Sequence, residues 1–280
     1  MTFTNPRLRR LFADDERCID IAIDHGAVNE RALVEPIRDA RAVIAAVAAG
    51  RPDAIQVTAG LAPLLAPYQT RSGPQLVLRT DVSNVYGTSV PRHPYSELLD
   101  TAIDDALRLD AVCVVANLLL LPDQPELHRQ CVANIARLVH GAHRYGIPVM
   151  AEPLVMSPDG TRGGYQVDGD IDLILPLVRQ AAELGVDLIK ADPTDDLGLY
   201  SDVVEAAAGI PVLVRGGGKA GTHDILRRTQ ELMATGVHGI VYGRNVFEHP
   251  DPAAMIAALR AIVHDGESAD HAHRHLENAA

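Results

Sequence analysis

Imine chemistry needs a lysine, and this chain has few: of its 25 basic residues only Lys190 and Lys219 are lysines. Arginine stands wherever a positive charge alone is enough, but a guanidinium stays protonated and cannot condense with a carbonyl. A lysine kept against that bias is a candidate nucleophile. Lys190 closes the run Val186-Asp187-Leu188-Ile189-Lys190, where partial desolvation favours the free amine. The competing reading of Lys190 is a structural ion pair with Asp192 or Asp24. Lys219 follows three glycines and stands farther from its apolar run, a place better suited to touching a phosphate.

Acids and glycines occur in matching places, at the ends of other apolar runs. Asp24-His25-Gly26 follows one such run, and Asp24 could hold a lysine charged until substrate arrives, move protons, or simply cap a helix. Glu152, one residue before Pro153, is a candidate acid–base group, with an ion pair to Arg79 or Arg162 as the alternative. Arg79 and Asp81 read as supporting or substrate-binding residues. Two glycine-containing turns, Arg215-Gly216-Gly217-Gly218-Lys219 and Gly243-Arg244-Asn245, are candidates for a phosphate cradle. There backbone N–H groups meet an anion that a side chain would otherwise keep away.

These residues need a scaffold that gathers strand ends. Apolar, β-branched runs at 18–24, 54–58, 75–81, 111–117, 148–154, 188–192, 211–216 and 239–244 alternate with helical patterning at 33–49, 97–109, 126–145, 172–184, 224–235 and 253–263. Near-continuous apolar strands imply burial on both faces, hence a parallel sheet. Eight such strands alternating with helices predict a single (β/α)8 barrel, whose strand ends and following loops form the active-site face. A doubly wound open sheet is the alternative, but no G-x-G-x-x-G follows the first strand. The barrel is expected over 1–264, with a polar, His-containing tail over 265–280 that frays.

Composition narrows the partners. With 47% hydrophobic residues, 22% charged residues and a net charge of −12, the chain reads as a soluble globular protein whose surface repels nucleic acid and anionic membrane. No apolar run is long enough to span a bilayer, and no apolar stretch follows the basic N-terminus as a signal peptide requires. Cys18, Cys113 and Cys131 are odd in number and widely spaced, and Cys18 and Cys113 fall inside apolar strand-like runs where reduced buried thiols are expected, which fits a cytoplasmic enzyme.

Asp24-His25-Gly26, Leu188-Ile189-Lys190, Pro211-Val212-Leu213-Val214 followed by Gly216-Gly217-Gly218-Lys219, and 239–247 with Gly243-Arg244-Asn245 resemble the archaeal-type class I fructose-bisphosphate aldolases. That group lies within the wider deoxyribose-phosphate, tagatose-bisphosphate and autoinducer-phosphate aldolase/thiolase superfamily. The match is densest over 185–252 and reappears at Asp24. The resemblance implies Lys190 as the imine lysine, Asp24 as its acidic neighbour, and Gly217, Gly218, Gly243 and Arg244 around a phosphate. A homo-oligomer is expected.

One departure bears on the substrate. The fructose-bisphosphate members carry a catalytic tyrosine shortly after the fifth strand; here Leu154 takes that place, and Glu152 takes the place of a tryptophan. This points away from fructose 1,6-bisphosphate and towards tagatose-bisphosphate and sulfo-sugar phosphate aldolases, which carry a glutamate at this strand end. Tyr165 or Tyr86 is then the candidate proton donor.

The expected reaction is cleavage or formation of a carbon–carbon bond in a phosphorylated keto compound. Lys190 supplies the iminium electron sink, Asp24 and Glu152 move protons, and no metal or organic cofactor takes part. Arg79, Gly216, Gly217, Gly218, Lys219, Gly243 and Arg244 are the expected substrate contacts. Acyl transfer of the autoinducer-phosphate thiolase type, a metal-dependent lyase built on Asp24, His25 and Glu152, and a non-catalytic sugar-phosphate binder are the rivals. Coenzyme A dependence, chelator sensitivity and binding without turnover would reveal each in turn.

Overall fold

The computed structural model describes residues 3–28, 30–87, 89–161 and 163–279. All eight strands form where the apolar runs place them: β1 (Cys18–Ala22), β2 (Ala54–Thr58), β3 (Gln75–Arg79), β4 (Cys113–Leu120), β5 (Val149–Pro158), β6 (Leu188–Ala191), β7 (Val212–Arg215) and β8 (Gly239–Tyr242). They are hydrogen-bonded in the order β4-β3-β2-β1-β8-β7-β6-β5, and β4 also pairs with β5, so the parallel sheet closes on itself. After them come α1 (Ala40–Ala49), α2 (Ala62–Leu65), α3 (Ala102–Arg108), α4 (Pro125–His143), α5 (Ile171–Glu183), α6 (Tyr200–Ala206), α7 (Thr222–Met233) and α8 (Pro252–Val263). This is a single (β/α)8 barrel.

Strand alternation sorts the side chains into two cores. Ile19 and Ile21 of β1, Ile55 and Val57 of β2, and Ile189 of β6 pack outward with α1 Ile44 and Val47, α5 Leu177 and Val178, and α8 Ile256 and Leu259. Cys18, Ala54, Val77, Cys113, Met150, Leu188, Leu213 and Val241 point along the axis and meet Leu8, Leu11 and Phe12 from the N-terminal segment. That segment plugs the bottom of the barrel. Leu11 is fully buried there, so Leu11→Ala should lower the unfolding free energy by about 2–5 kcal/mol in urea titration, with the far-UV spectrum unchanged. The plug leaves the C-terminal end as the open face.

Local chemistry sets the element ends. Asp39, Asp170 and Asp251 each accept a backbone N–H at the start of α1, α5 and α8. Gly185 and Gly209, both at φ +84°, turn the chain from helix into the next strand.

The structure departs from expectation in three places. The helical stretch 33–49 breaks into the short turns Arg31–Val34 and Glu35–Ile37 before α1; Pro36 lacks an N–H, and Asp39 caps a fresh start. The beginning of 97–109 is instead a strand, Ser96–Leu98, antiparallel to Asp81–Ser83, with α3 following. The terminus expected to fray forms α9 (Ala269–Ala279), which packs on α7 and α8 through buried Ala269, Ala272 and Leu276. His264, at the C-cap of α8, sits between Asp15 and Asp53 at 2.8 and 3.0 Å. The side chain of His275 lies outside the described residues.

Candidate active site

Asp24 just after β1 and charged residues of β3, β5, β6 and β7 point towards the open end of the axis, and the βα-loops wall a cleft of about 970 Å³ above them. All ten site residues expected from the sequence line this one cleft: Asp24, Arg79, Glu152, Lys190, Gly216, Gly217, Gly218, Lys219, Gly243 and Arg244. They divide into a buried floor and a more open rim.

Lys190 is 3% exposed. Its flanking Ile189 and Ala191 belong to the outer core, so its own side chain must point along the axis. Nζ lies 3.1 Å from Glu152 Oε2 and 3.5 Å from Gln56 Oε1. The ion-pair partner of Lys190 is therefore Glu152, neither Asp24 nor Asp192.

Asp24 is engaged elsewhere. Its Oδ2 accepts Gln56 Nε2 and Arg79 Nε, each at 2.6 Å. Arg79 is the hub of the floor, reaching Asp24, Asp81 at 3.1 Å and Glu152. Asn117 Nδ2 donates to Asp81 Oδ2 at 2.8 Å and steadies the far side. The second anticipated partner of Glu152, Arg162, lies outside the described residues.

Arg215 closes the ring above Glu152. Its Nε is 3.0 Å from Glu152 Oε1, its Nη1 2.9 Å from Asp192 Oδ1, and its Nη2 donates to Tyr86 Oη at 3.2 Å. Glu152 thus touches three cations. Burial opposes its charge, but Lys190, Arg79 and Arg215 outweigh burial and hold the carboxyl well below the usual carboxylate range. Asp24 is also lowered, with Arg79 and Lys190 overcoming desolvation. For Asp192 the balance reverses: burial wins over Arg215 and raises it. His25, packed edge-on against Phe247, is pushed down to about 4 by burial and is neutral near pH 7.

The rim is made by the two glycine turns. Arg228 Nη2 and Asn245 Nδ2 both donate to the Gly216 carbonyl, and Asn245 Nδ2 also reaches Gly218 O at 3.3 Å. Gly217 has φ +60°, the left-handed region that favours glycine. A Cβ on Gly243 would fall 2.9 Å from His25 Cε1 and 3.1 Å from Ala22 O, so no larger residue fits beside β1. Lys219 is exposed and paired with Glu248.

Leu154, at the position of the tyrosine in the resembling family, is buried and is not among the residues that line the cleft. Tyr86 and Tyr165 both line the cleft.

Sequence reasoning did not assign Gln56, Arg215 or Arg228 to the site. Gln56 did leave a signal, as an amide inside the otherwise apolar run Ala54–Val57. Asp24, Asp81, Glu152 and Asp192 are each engaged by a guanidinium, ammonium or amide. Among the described residues, no group of three or more His, Cys, Asp or Glu is arranged to hold a metal ion. No helix among them is long and apolar enough to cross a membrane.

A closed barrel with a buried amine and two glycine turns at the ends of β7 and β8 defines a barrel enzyme of the aldolase kind. Residues 18–249 match the model of the DeoC/LacD family aldolases, and the chain belongs to that family. It is an enzyme that makes or breaks carbon–carbon bonds. A 2-amino-3,7-dideoxy-D-threo-hept-6-ulosonate synthase from Halobacterium salinarum is 30% identical over 259 residues, 92% of this chain and 91% of that protein. A 3-hydroxy-5-phosphonooxypentane-2,4-dione thiolase from an Enterobacter species is 29% identical over 94% of this chain and 82% of that protein. Among solved structures, a Schiff-base-forming fructose-1,6-bisphosphate aldolase superposes with a TM-score of 0.75 at 22% identity, covering 93% of this chain and 99% of that one.

Proposed function

We propose that this aldolase works through an imine on Lys190 and acts on a phosphorylated keto compound. The observation that carries the reading is the buried Lys190 amine on the floor of the cleft, 3.1 Å from a carboxylate that remains ionised. The Schiff-base aldolase of the same fold supports it by likeness.

In this reading the Nζ lone pair attacks the substrate ketone, and water leaves to give an iminium. The electron pair of the breaking carbon–carbon bond then flows to nitrogen as an enamine. Cleavage also requires loss of a proton from the hydroxyl on the departing carbon, and Glu152 is the acceptor. At rest three cations suppress its basicity. As the electron pair of the breaking bond reaches nitrogen, the iminium becomes a neutral enamine, one of those cations disappears, and Glu152 becomes a better base in that same step. Asp24 fixes Arg79 and Gln56, and through them the orientation of Glu152. The Tyr86 hydroxyl accepts from Arg215, which leaves its own O–H free for a substrate oxygen.

Gly216, Gly217, Gly218, Lys219, Gly243 and Arg244 would hold the phosphate, with Arg215 and Arg228 nearby. The three described cysteines are free and buried, in keeping with a reducing compartment such as the cytoplasm.

The phosphate assignment is tested at Gly218, where an added Cβ would meet nothing within 4 Å. Gly218→Val should leave the unfolding midpoint nearly unchanged and raise KM for a phosphorylated substrate about 10-fold or more, since the side chain fills space the anion needs. Assays against a panel of sugar phosphates and their dephosphorylated analogues test the substrate class. Inorganic phosphate should compete, and equal turnover of the dephosphorylated compounds would reject this use of the rim. The thiolase relative favours one further reading, acyl transfer on the same scaffold; coenzyme A-dependent turnover with no aldol cleavage would establish it instead.

A further inference from the structure

Directly below the cleft lies a charged side chain with no role so far. Asp20 is fully buried in β1 and does not line the cleft. Its flanking Ile19 and Ile21 face the helices, so its carboxylate points to the barrel axis, like Cys18 and Ala22. Its strand partners Ala54 and Val241 are small or apolar. Neither Asp20 oxygen has a hydrogen-bond partner among the described residues. A core position of this kind is normally filled by an aliphatic side chain, because burying a carboxylate without hydrogen-bond partners is unfavourable.

We propose that Asp20 is the counter-charge of the reactive nitrogen, a positioning residue whose carboxylate, below Lys190 on the barrel axis, stabilises Nζ in its two cationic forms. Those forms are the ammonium at rest and the iminium during turnover; the proposal therefore rests on the Lys190 imine reading. The groups facing Asp20 single out that nitrogen. β6 supplies Lys190, β1 supplies Asp24 and Cys18, β3 supplies Arg79, β4 supplies Cys113 and β5 supplies Glu152. β2 and β8 offer Ala54, Gln56 and Val241, none of them charged, while β7 offers Leu213 and the charged Arg215. Of the three cations, Arg79 is already bound to Asp24, Asp81 and Glu152, and Arg215 to Glu152 and Asp192. Lys190 has a single carboxylate partner, Glu152, which it shares with two guanidiniums.

Burial raises Asp20 to about 7, and Lys190 is the foremost charge working against that rise. Asp20 therefore ionises across the neutral range, and the hold on Nζ tightens as pH rises. The stability sign follows. Between about pH 4 and pH 7 the unfolded carboxyl has lost its proton while the folded one keeps it, so this residue lowers stability as pH rises through that window.

The test uses the full-length protein and formaldehyde with cyanoborohydride, which methylates an amine through an imine without requiring the natural substrate. Peptide mass spectrometry separates Lys190 from Lys219, and the latter serves as internal control. Asp20→Asn should move the pH midpoint of Lys190 methylation down by about one unit, as expected when a buried counter-charge is removed, with Lys219 unchanged. Asp20→Leu should do the same if the amide packs poorly. Unfolding midpoints of wild type and Asp20→Asn should coincide near pH 4 and separate in favour of the variant near pH 8. With a sugar phosphate that the wild type cleaves, kcat should fall about 10-fold at pH 8 and little at pH 6. Superimposable methylation profiles, or a shift to higher pH, would overturn the counter-charge role. If Lys190 methylates as described but no sugar phosphate is ever trapped or cleaved, the imine reading itself fails, and the two failures are told apart.

Discussion

Replacing Lys190 by arginine should lower kcat/KM for aldol cleavage about 10⁴-fold or more, because the covalent route disappears while the cation facing Glu152 is retained. The Nζ–Glu152 contact of 3.1 Å on the buried floor means that a neutral replacement would take away one of the three cations on that carboxylate. Arginine separates loss of nucleophile from loss of charge. Lys190→Met provides the complement: it should lose the same activity and also destabilise the fold, by about 1.5–3 kcal/mol, the range for one hydrogen bond to a charged group. Steady-state kinetics and urea unfolding on both variants check this pairing. An arginine variant that kept a tenth of wild-type activity would place the chemistry elsewhere.

The second large effect is expected at Glu152. Glu152→Gln keeps shape and hydrogen-bonding reach but cannot accept a proton, so kcat should fall about 10²–10⁴-fold. The structure adds a feature that distinguishes this loss from unfolding. Glu152 faces Lys190, Arg79 and Arg215 together, so a neutral amide removes a charge that favours the ammonium form of Lys190. Imine formation with substrate should therefore persist, or quicken near neutral pH, while turnover collapses. Single-turnover trapping measured beside kcat exposes that split. If trapping and turnover fell in parallel, with the unfolding midpoint lowered as well, Glu152 would be a scaffold for Arg79 and Arg215, and a different group would move the proton.

The placement of chemistry was more legible in the sequence than the contacts were. Lys190 stands out as a candidate because it closes an apolar strand and because arginine has replaced lysine nearly everywhere else. Strand parity then fixes its direction in any parallel barrel. What parity cannot give is which opposite strand reaches it. Asp24 and Glu152 both sit at strand ends, yet the closed sheet brings Glu152 to Nζ and leaves Asp24 with Arg79 and Gln56.

Arg215 escaped for a related reason. It precedes three glycines and reads as part of a turn, but its long side chain folds back over the floor to Glu152, Asp192 and Tyr86. The last helix escaped because its apolar residues are sparse: Ala269, Ala272 and Leu276 do not make a convincing amphipathic stripe until α7 and α8 supply the other face. Asp20 went unremarked in the sequence, a single acid inside the apolar run Cys18-Ile19-Asp20-Ile21-Ala22. Its meaning depends on Lys190 pointing into the same barrel.

The central claim is a covalent imine on one lysine, and borohydride reduction during turnover of a sugar phosphate tests it most directly. Peptide mapping of the reduced protein should find one adduct, on the peptide carrying Lys190, with the mass of the keto fragment. The adduct should be absent in Lys190→Arg and present in Glu152→Gln. Turnover with no adduct at any pH, or an adduct that stays in Lys190→Arg and maps to Lys219, would contradict the account.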